Sequence, residues 1–334
     1  MAAGGGGVMT DTSARAARRI LARSSKSFAF AGRLLPAWCR QDATALYAWC
    51  RRCDDAVDGP AEVPSRAAAV ERLRAELDRV YDPSGDILEA ADPVLAGFRR
   101  VVRRRSIPRR YAEDLVAGMA MDVGRVRYQT FDDLLLYCYR VAGTVGLMTA
   151  HIMGVRSPAA LRRAADLGIA MQLTNICRDV AEDQRRDRVY LPQAWLAAVR
   201  AHTGTDHEAR PVVAELLRRA EGFYRSGDDG MSALPLPCVV AIRAAGLIYA
   251  EIGRQIARRG FDVDAGRAVV SRARKAWLAL RALAATLWSH RTEDDDVSIP
   301  GGRRERQPLP LPFELPIGSA AEWSAPALAP GARS

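Results

Sequence analysis

Apolar side chains recur along this chain at intervals of three and four residues, the signature of helices that bury one face. Val70, Leu73, Leu77 and Val80 form one such stripe, in a helix that Ser65 is expected to open. Asp42 stands where an N-cap would start a helix ending at Gly59-Pro60. Thr130-x-x-Asp133 reads as a variant capping box, before a helix running to about Gly154. Ser157-Pro158 supplies the cap and the first helical position of the next. Pro211 and Pro237 begin two more, the second ending near Gly260, and Ser271 starts a last one. No alternation of apolar and polar residues is long enough to demand a sheet. The predicted fold is all-α, a single domain of helices around a central apolar cavity.

The two ends break this pattern. Residues 1–12 open with a glycine-rich run and read as a disordered segment, 13–291 carry the helices, and 292–334 read as a flexible tail rich in Pro and Gly. With 334 residues, 49% of them hydrophobic, a sizeable core can be buried, and a 7% aromatic share favours helix over sheet. The net charge of +10 suits an anionic partner: nucleic acid, a membrane surface or a phosphorylated substrate. Charge alone does not choose among them. Arg99, Arg100, Arg103, Arg104, Arg105, Arg109 and Arg110 form a basic patch that would suit anionic lipid, although a solvated helix face is the more ordinary reading. The apolar runs 141–155 and 231–250 are not expected to span a membrane, the first being short and the second holding Pro235, Pro237 and Arg243. Six cysteines (Cys39, Cys50, Cys53, Cys138, Cys177, Cys238) sit in apolar or helical contexts with no secretory signal ahead of them. A reducing, cytoplasmic setting is therefore expected. Cys50-x-x-Cys53 has no second pair to complete a zinc site.

The chemistry concentrates in two places. Tyr47, Arg51, Asp54 and Asp58 step by four, three and four, so they share a helical face. Gln172, Asn175, Asp179 and Asp183 step by three, four and four, with Arg178 and Glu182 alongside. The acids of the first set fall in a last helical turn, where the helix dipole disfavours negative charge. Two such rows facing one another would hold more carboxylates than can stay ionised without cations. Hard oxygen donors favour Mg²⁺, with Mn²⁺ an alternative, shared with substrate phosphates. Arginines beside them suit a departing diphosphate. The small, apolar stretch from Val141 to Met148 suits either the wall of a hydrocarbon channel or plain helix packing. Asp294, Asp295 and Asp296 belong to the tail and are not expected to form a third metal site, and His202 and His207 lack ligand spacing.

At these residues the sequence resembles the phytoene/squalene synthase family, the head-to-head isoprenoid synthases. The resemblance covers about 23–260. It rests on the segments Ser24–Phe28, Tyr47–Asp58, Gly118–Val123, Tyr137–Gly146, Gln172–Asp183 and Arg188–Pro192. The Met-Asp-Val and Val-Ala-Gly-Thr-Val-Gly segments are most like bacterial phytoene synthases. The resemblance implies that Asp54, Asp58, Asn175, Asp179 and Asp183 hold metal. It implies diphosphate contacts at Ser24, Ser25, Lys26, Ser27, Arg51, Gln172 and Arg178, and cavity roles for Tyr47, Tyr137 and Tyr249. Asp54, Asp58, Asp179, Asp183 and Arg51 are the expected catalytic set. The implied reaction joins two geranylgeranyl diphosphates to phytoene without NADPH. Farnesyl diphosphate turned into squalene or presqualene diphosphate is the rival, and an inactive assembly relative is the non-enzymatic one. A prenyl diphosphate is the expected partner, with no nucleic acid and no obligate protein. Peripheral contact with the inner face of the membrane is a further expectation.

Overall fold

The computed structural model describes residues 26–58, 63–84, 91–203, 209–295, 308, 310–315 and 317. A short helix, α1 (Lys26–Leu34), is followed after Pro36 by α2 (Ala37–Asp58). Then come α3 (Val63–Tyr81), α4 (Pro93–Arg105) and α5 (Arg109–Met121). A two-residue strand, β1 (Val126–Arg127), leads to α6 (Phe131–Cys138), a π-helical turn (Tyr139–Gly143) and α7 (Thr144–Ile152). The long α8 (Pro158–Arg185) is followed by β2 (Arg188–Val189), α9 (Gln193–Thr203), α10 (Ala209–Asp229), α11 (Leu236–Arg258) and α12 (Arg272–Asp295). The all-α expectation holds, with one addition: β1 and β2 pair in parallel, Val126 opposite Arg188 and Arg127 opposite Val189.

The spacing of the apolar residues explains the packing. Val70, Leu73, Leu77 and Val80 are all buried on α3, and each aliphatic side chain taken from water contributes about 1.5–3 kcal/mol. Trp49 of α2 stacks on Phe98 of α4 with ring centroids 3.9 Å apart. Helix α8 runs through the interior and packs on α7, the π-helical turn, α10 and α11. Close approach there depends on glycine: a Cβ on Gly146 would lie 2.3 Å from the Ala164 carbonyl oxygen, and one on Gly168 2.3 Å from that of Ala142. The small residues between Val141 and Met148 therefore serve helix packing in part. The helix expected to run unbroken to Gly154 contains the π-helical turn, an extra residue of the kind often found at functional sites.

Caps explain most boundaries. The capping box is present: Thr130 Oγ1 accepts from Asp133 N–H at 3.1 Å, and Asp133 Oδ2 accepts from Thr130 N–H at 2.9 Å. Ser271 Oγ likewise accepts from Arg274 N–H. Asp42 is not a cap, because α2 starts five residues earlier, directly after Pro36. Asp42 is buried and ion-paired to Arg105 at 2.6 Å. Helix α3 begins at Val63, ahead of Ser65.

The basic patch is divided: Arg99 is buried, Arg100, Arg105 and Arg110 are half-buried, and Arg103, Arg104 and Arg109 are exposed. Arg99 is buried and donates to the carbonyls of Arg79, Val80 and Asp82 at the end of α3. Arg103 donates to those of Asp82 and Pro83. Arg105 holds Asp42, and Arg109 pairs with Asp78 and Glu113. Cations on helix-terminal carbonyls complement the dipole, a use of Arg99 and Arg103 that neither the solvated nor the lipid-facing reading of the patch included.

The tail also departs from expectation. Helix α12 continues past 291 through Asp294 and Asp295. Beyond it Leu311, Phe313, Leu315 and Ile317 pack against the core, and the Phe313 ring lies 5.3 Å from that of Tyr139. Pro310, Pro312 and Glu314 face outward, so this stretch is an extended segment with one apolar edge rather than a loose linker. Helix α11 is long and apolar enough to cross a membrane by length and composition, although half of its most apolar window is buried inside the protein. All six cysteines are free thiols.

Candidate active site

The last turns of α2 carry the first acid row. Arg51 donates to Asp54 at 2.8 Å and pairs with Asp55 at 2.6 Å. Tyr47 lies within electrostatic reach of the same guanidinium. The second row is a stripe of α8 in which Gln172, Asn175, Arg178, Asp179, Glu182 and Asp183 are half-buried, while Leu173, Thr174, Ile176, Cys177 and Val180 between them are buried. The stripe thus faces neither bulk water nor the packed core. Arg178 forks onto both oxygens of Asp179, at 2.8 and 2.5 Å. Asn175 Nδ2 donates to Gln172 Oε1 at 3.3 Å, and its buried Oδ1 has no protein partner.

The short β-ladder brings the rows together. By pairing with β1, the segment after α8 is held beside the α5–α6 connection, and this delivers Arg188 to Asp58 at 2.6 Å. Arg188 and Asp183 line one small cavity together with Tyr190. Tyr190 donates to one oxygen of Asp122 at 2.7 Å and Tyr137 to the other at 2.8 Å. Asp122 lies in turn within electrostatic range of Asp54 and Asp58. From the other side Arg267, in the connection between α11 and α12, pairs with Asp179 at 3.0 Å and approaches Glu182 at 3.8 Å.

The electrostatics show surplus negative charge. Desolvation and the neighbouring Asp58 raise the Asp54 carboxyl to about 6 against the pull of Arg51. Asp183 rises to about 7, through desolvation and then Asp179, with Arg188 opposing. Burial lifts Asp122 to about 6 although two phenols and Arg188 hold it down. Arg188 sits above its ordinary value: burial opposes its charge, but the hydrogen bond to Asp58 and the surrounding anions outweigh that. Carboxylates this reluctant to ionise favour added cations.

Among the described residues no three carboxylate, imidazole or thiol groups enclose one point, because arginines hold the acids in separate pairs. That arrangement fits an ion which takes one or two carboxylates and completes its shell with water and phosphate oxygens, as Mg²⁺ does. The unpartnered Asn175 Oδ1 offers one more neutral oxygen.

Of the residues singled out in the sequence, Arg51, Asp54 and Asp58 form one group and Gln172, Asn175, Arg178, Asp179 and Asp183 the other. Tyr249 is buried within reach of Arg178. Tyr137 is buried too, its hydroxyl committed to Asp122. Lys26 and Ser27 fall in the first turn of α1, and Ser24 and Ser25 lie outside the described residues. Sequence reasoning gave no role to Asp122, Arg188, Tyr190 or Arg267. The first three lie in segments that carried the family resemblance, whereas nothing local marks Arg267.

The sequence matches the squalene/phytoene synthase family over residues 21–274. It is 43% identical over 247 residues to a 15-cis-phytoene synthase of Enterobacter agglomerans, covering 71% of this chain and 83% of that one. To the 15-cis-phytoene synthase of Paracoccus sp. (strain N81106 / MBIC 01143) it is 42% identical over 274 residues, covering 80% and 88%. A crystal structure of a dehydrosqualene synthase superimposes with a TM-score of 0.73 at 28% identity, covering 83% of this chain and 97% of that one. The chain belongs to the squalene/phytoene synthase family.

Proposed function

We propose that the protein is a phytoene synthase, condensing two geranylgeranyl diphosphates head to head through prephytoene diphosphate. The observation that carries this reading is the pair of acid–arginine rows on α2 and α8, bridged at Arg188, in a chain more than 40% identical to curated phytoene synthases.

Loss of the first diphosphate leaves an allylic cation whose C1 is captured by the C2–C3 double bond of the second substrate. Loss of a proton closes the cyclopropane. The second diphosphate then departs, the skeleton rearranges to a 1-1′ bond, and a second proton is lost. Two substrates thus give one phytoene, two diphosphates and two protons. The ending is deprotonation rather than hydride addition, so NADPH has no step to serve.

Asp54, Asp58, Asn175, Asp179 and Asp183 are the residues that would hold Mg²⁺. The bound metal supplies positive charge to the leaving diphosphate. Arg51 and Arg178 would bind diphosphate oxygens: a guanidinium has five N–H donors, and the contacts of Arg51 with Asp54 and Asp55 and of Arg178 with Asp179 do not use all of them. Arg188 and Arg267 sit at the same rows and keep the acids from repelling one another. Buried tyrosines near the rows exclude water from the cation. An inactive relative would be free to lose these acids, and both rows are intact.

The test supplies purified protein with geranylgeranyl or farnesyl diphosphate, with Mg²⁺ and with chelator, and separates the hydrocarbons by chromatography. The expected product is phytoene, from the longer substrate and only with metal. Turnover of farnesyl diphosphate alone would move the assignment to squalene or presqualene diphosphate synthesis.

A further inference from the structure

Cys39 and Cys238 meet across 199 residues of chain, their sulfurs 3.9 Å apart and both side chains buried. Each stands in the first turn of a helix, α2 or α11, three residues after a proline: Pro36-Ala-Trp-Cys39 and Pro235-Leu-Pro-Cys238. The positive ends of two helix dipoles therefore lie at the pair, a setting that favours thiolate. Arg105 adds positive charge there, donating to the Trp38 carbonyl at 3.0 Å, although Asp42 shares its guanidinium. The hydrogen bond from the Cys238 thiol holds Cys39 below its ordinary value, with burial opposing and Arg105 assisting. When protonated, Cys39 can donate instead to the Pro36 carbonyl, 3.6 Å away. Burial pushes the other four thiols, Cys50, Cys53, Cys138 and Cys177, upward. The pair lies close beneath the surface, since its chain neighbours Trp38 and Leu236 are 44% and 41% exposed.

We infer that Cys39 and Cys238 are a dithiol which hydrogen peroxide oxidises to a disulfide between the starts of α2 and α11. The Cys39 thiolate attacks one peroxide oxygen, the O–O bond breaks, and the hydroxide that leaves takes up the proton released by Cys39 to become water. Cys39 is then a sulfenic acid. The Cys238 sulfur attacks it, the S–S bond forms, the S–O bond breaks, and the oxygen departs with the Cys238 proton as a second water. In all, the two thiols lose two electrons and one peroxide is reduced to two waters. For the bond to form the sulfurs must close from 3.9 Å to about 2.05 Å. Helix ends open more readily than helix interiors, which permits that approach and admits the peroxide. The disulfide pins α2, whose last turns carry Arg51, Asp54 and Asp58, to α11, which carries Tyr249. Cys39 precedes Arg51 by about 18 Å of helix, so the modification leaves the acid rows themselves untouched. The inference concerns this pair alone and does not depend on the reaction proposed above.

The test uses the full-length protein, fully reduced and then freed of reductant. Hydrogen peroxide is added under native conditions, the remaining thiols are alkylated in denaturant, and mass spectrometry reads the intact mass and the disulfide-linked peptides. The expected result is loss of two of the six alkylatable thiols, a peptide pair joining Cys39 to Cys238, and recovery of all six with dithiothreitol. This measurement is made on the parent chain, so it decides the matter whether or not a substituted pair folds. Cys238→Ser should stop at the sulfenic acid, trapped at Cys39 by dimedone, and Cys39→Ser should form no disulfide. Circular dichroism identical to the parent confirms that each variant is folded. Six thiols still alkylated, at a peroxide excess that oxidises free N-acetylcysteine, overturn the inference. So does a disulfide that uses any other cysteine, a bond between two copies of the chain, or a Cys39–Cys238 bond that forms only after denaturation.

Discussion

Asp122 gives the sharpest quantitative test of the site's electrostatics, through the substitution Asp122→Asn. The carboxyl is 6% exposed, accepts from Tyr137 and Tyr190, and titrates near 6 instead of 3.8, chiefly through burial. A carboxyl raised in this way binds its proton more tightly in the folded chain than in the unfolded one. Its contribution is therefore fully present below about 3.8 and is lost as pH rises through about 6. The gap between the two values corresponds to about 3 kcal/mol, at about 1.4 kcal/mol for each tenfold change. Asparagine has the same shape and cannot ionise; it keeps an acceptor for one phenol, while its amide donates to the other. The stability of the parent relative to Asp122→Asn should thus fall by about 3 kcal/mol between pH 3 and 7. In thermal unfolding that is a relative change of about 6–12 °C at ~2–4 °C per kcal/mol. The assay is differential scanning fluorimetry of both proteins across this range in chelator, where titrating groups that do not interact with Asp122 cancel in the difference. Parallel curves for the two proteins would refute the reasoning, because they would mean that Asp122 ionises as easily in the folded chain as in water.

The remaining predictions are simpler. Asp179→Ala should lower turnover about a hundredfold or more while leaving the far-ultraviolet circular dichroism unchanged; near-parental turnover would remove Asp179 from the proposed metal-binding set. Gly168→Ala forces a Cβ to 2.3 Å from the Ala142 carbonyl oxygen, so the urea midpoint should drop by the equivalent of about 1–3 kcal/mol. An unchanged midpoint would mean that α8 and the π-helical turn can separate freely. Thr130→Ala removes half of the α6 capping box and should cost about 1 kcal/mol in the same titration, with the metal requirement unaffected.

What the sequence disclosed follows the range of the interactions. The α3 stripe and the Thr130 capping box are set within four residues, and both could be read directly. The acid rows were legible for the same reason, since helical periodicity alone puts Asp54 beside Asp58 and Asp179 beside Asp183. Asp42 was misread because its partner Arg105 is distant in the chain and no local feature points to it. The same holds for Arg188, which meets Asp58 across 130 residues through a ladder too short to leave an alternating pattern. The arginines of α4 announce positive charge, but not that Arg99 and Arg103 would spend theirs on backbone carbonyls at and just beyond the end of α3. In the tail, prolines between leucines suggested a linker, although Leu311, Phe313 and Leu315 fall on one edge. Helix α12 shows the converse case: its periodicity marks a helix correctly, but periodicity does not say which side meets the protein, and Leu280, Leu287 and Trp288 are exposed.

The seating of Phe313 on Tyr139 bears on how the molecule is made. Ribosomes deliver chains from the amino end, so all the helices α1 to α12 are synthesised before the residue that shields the Tyr139 ring. Of the ring contacts described here, this one therefore becomes possible only after every helix has been synthesised.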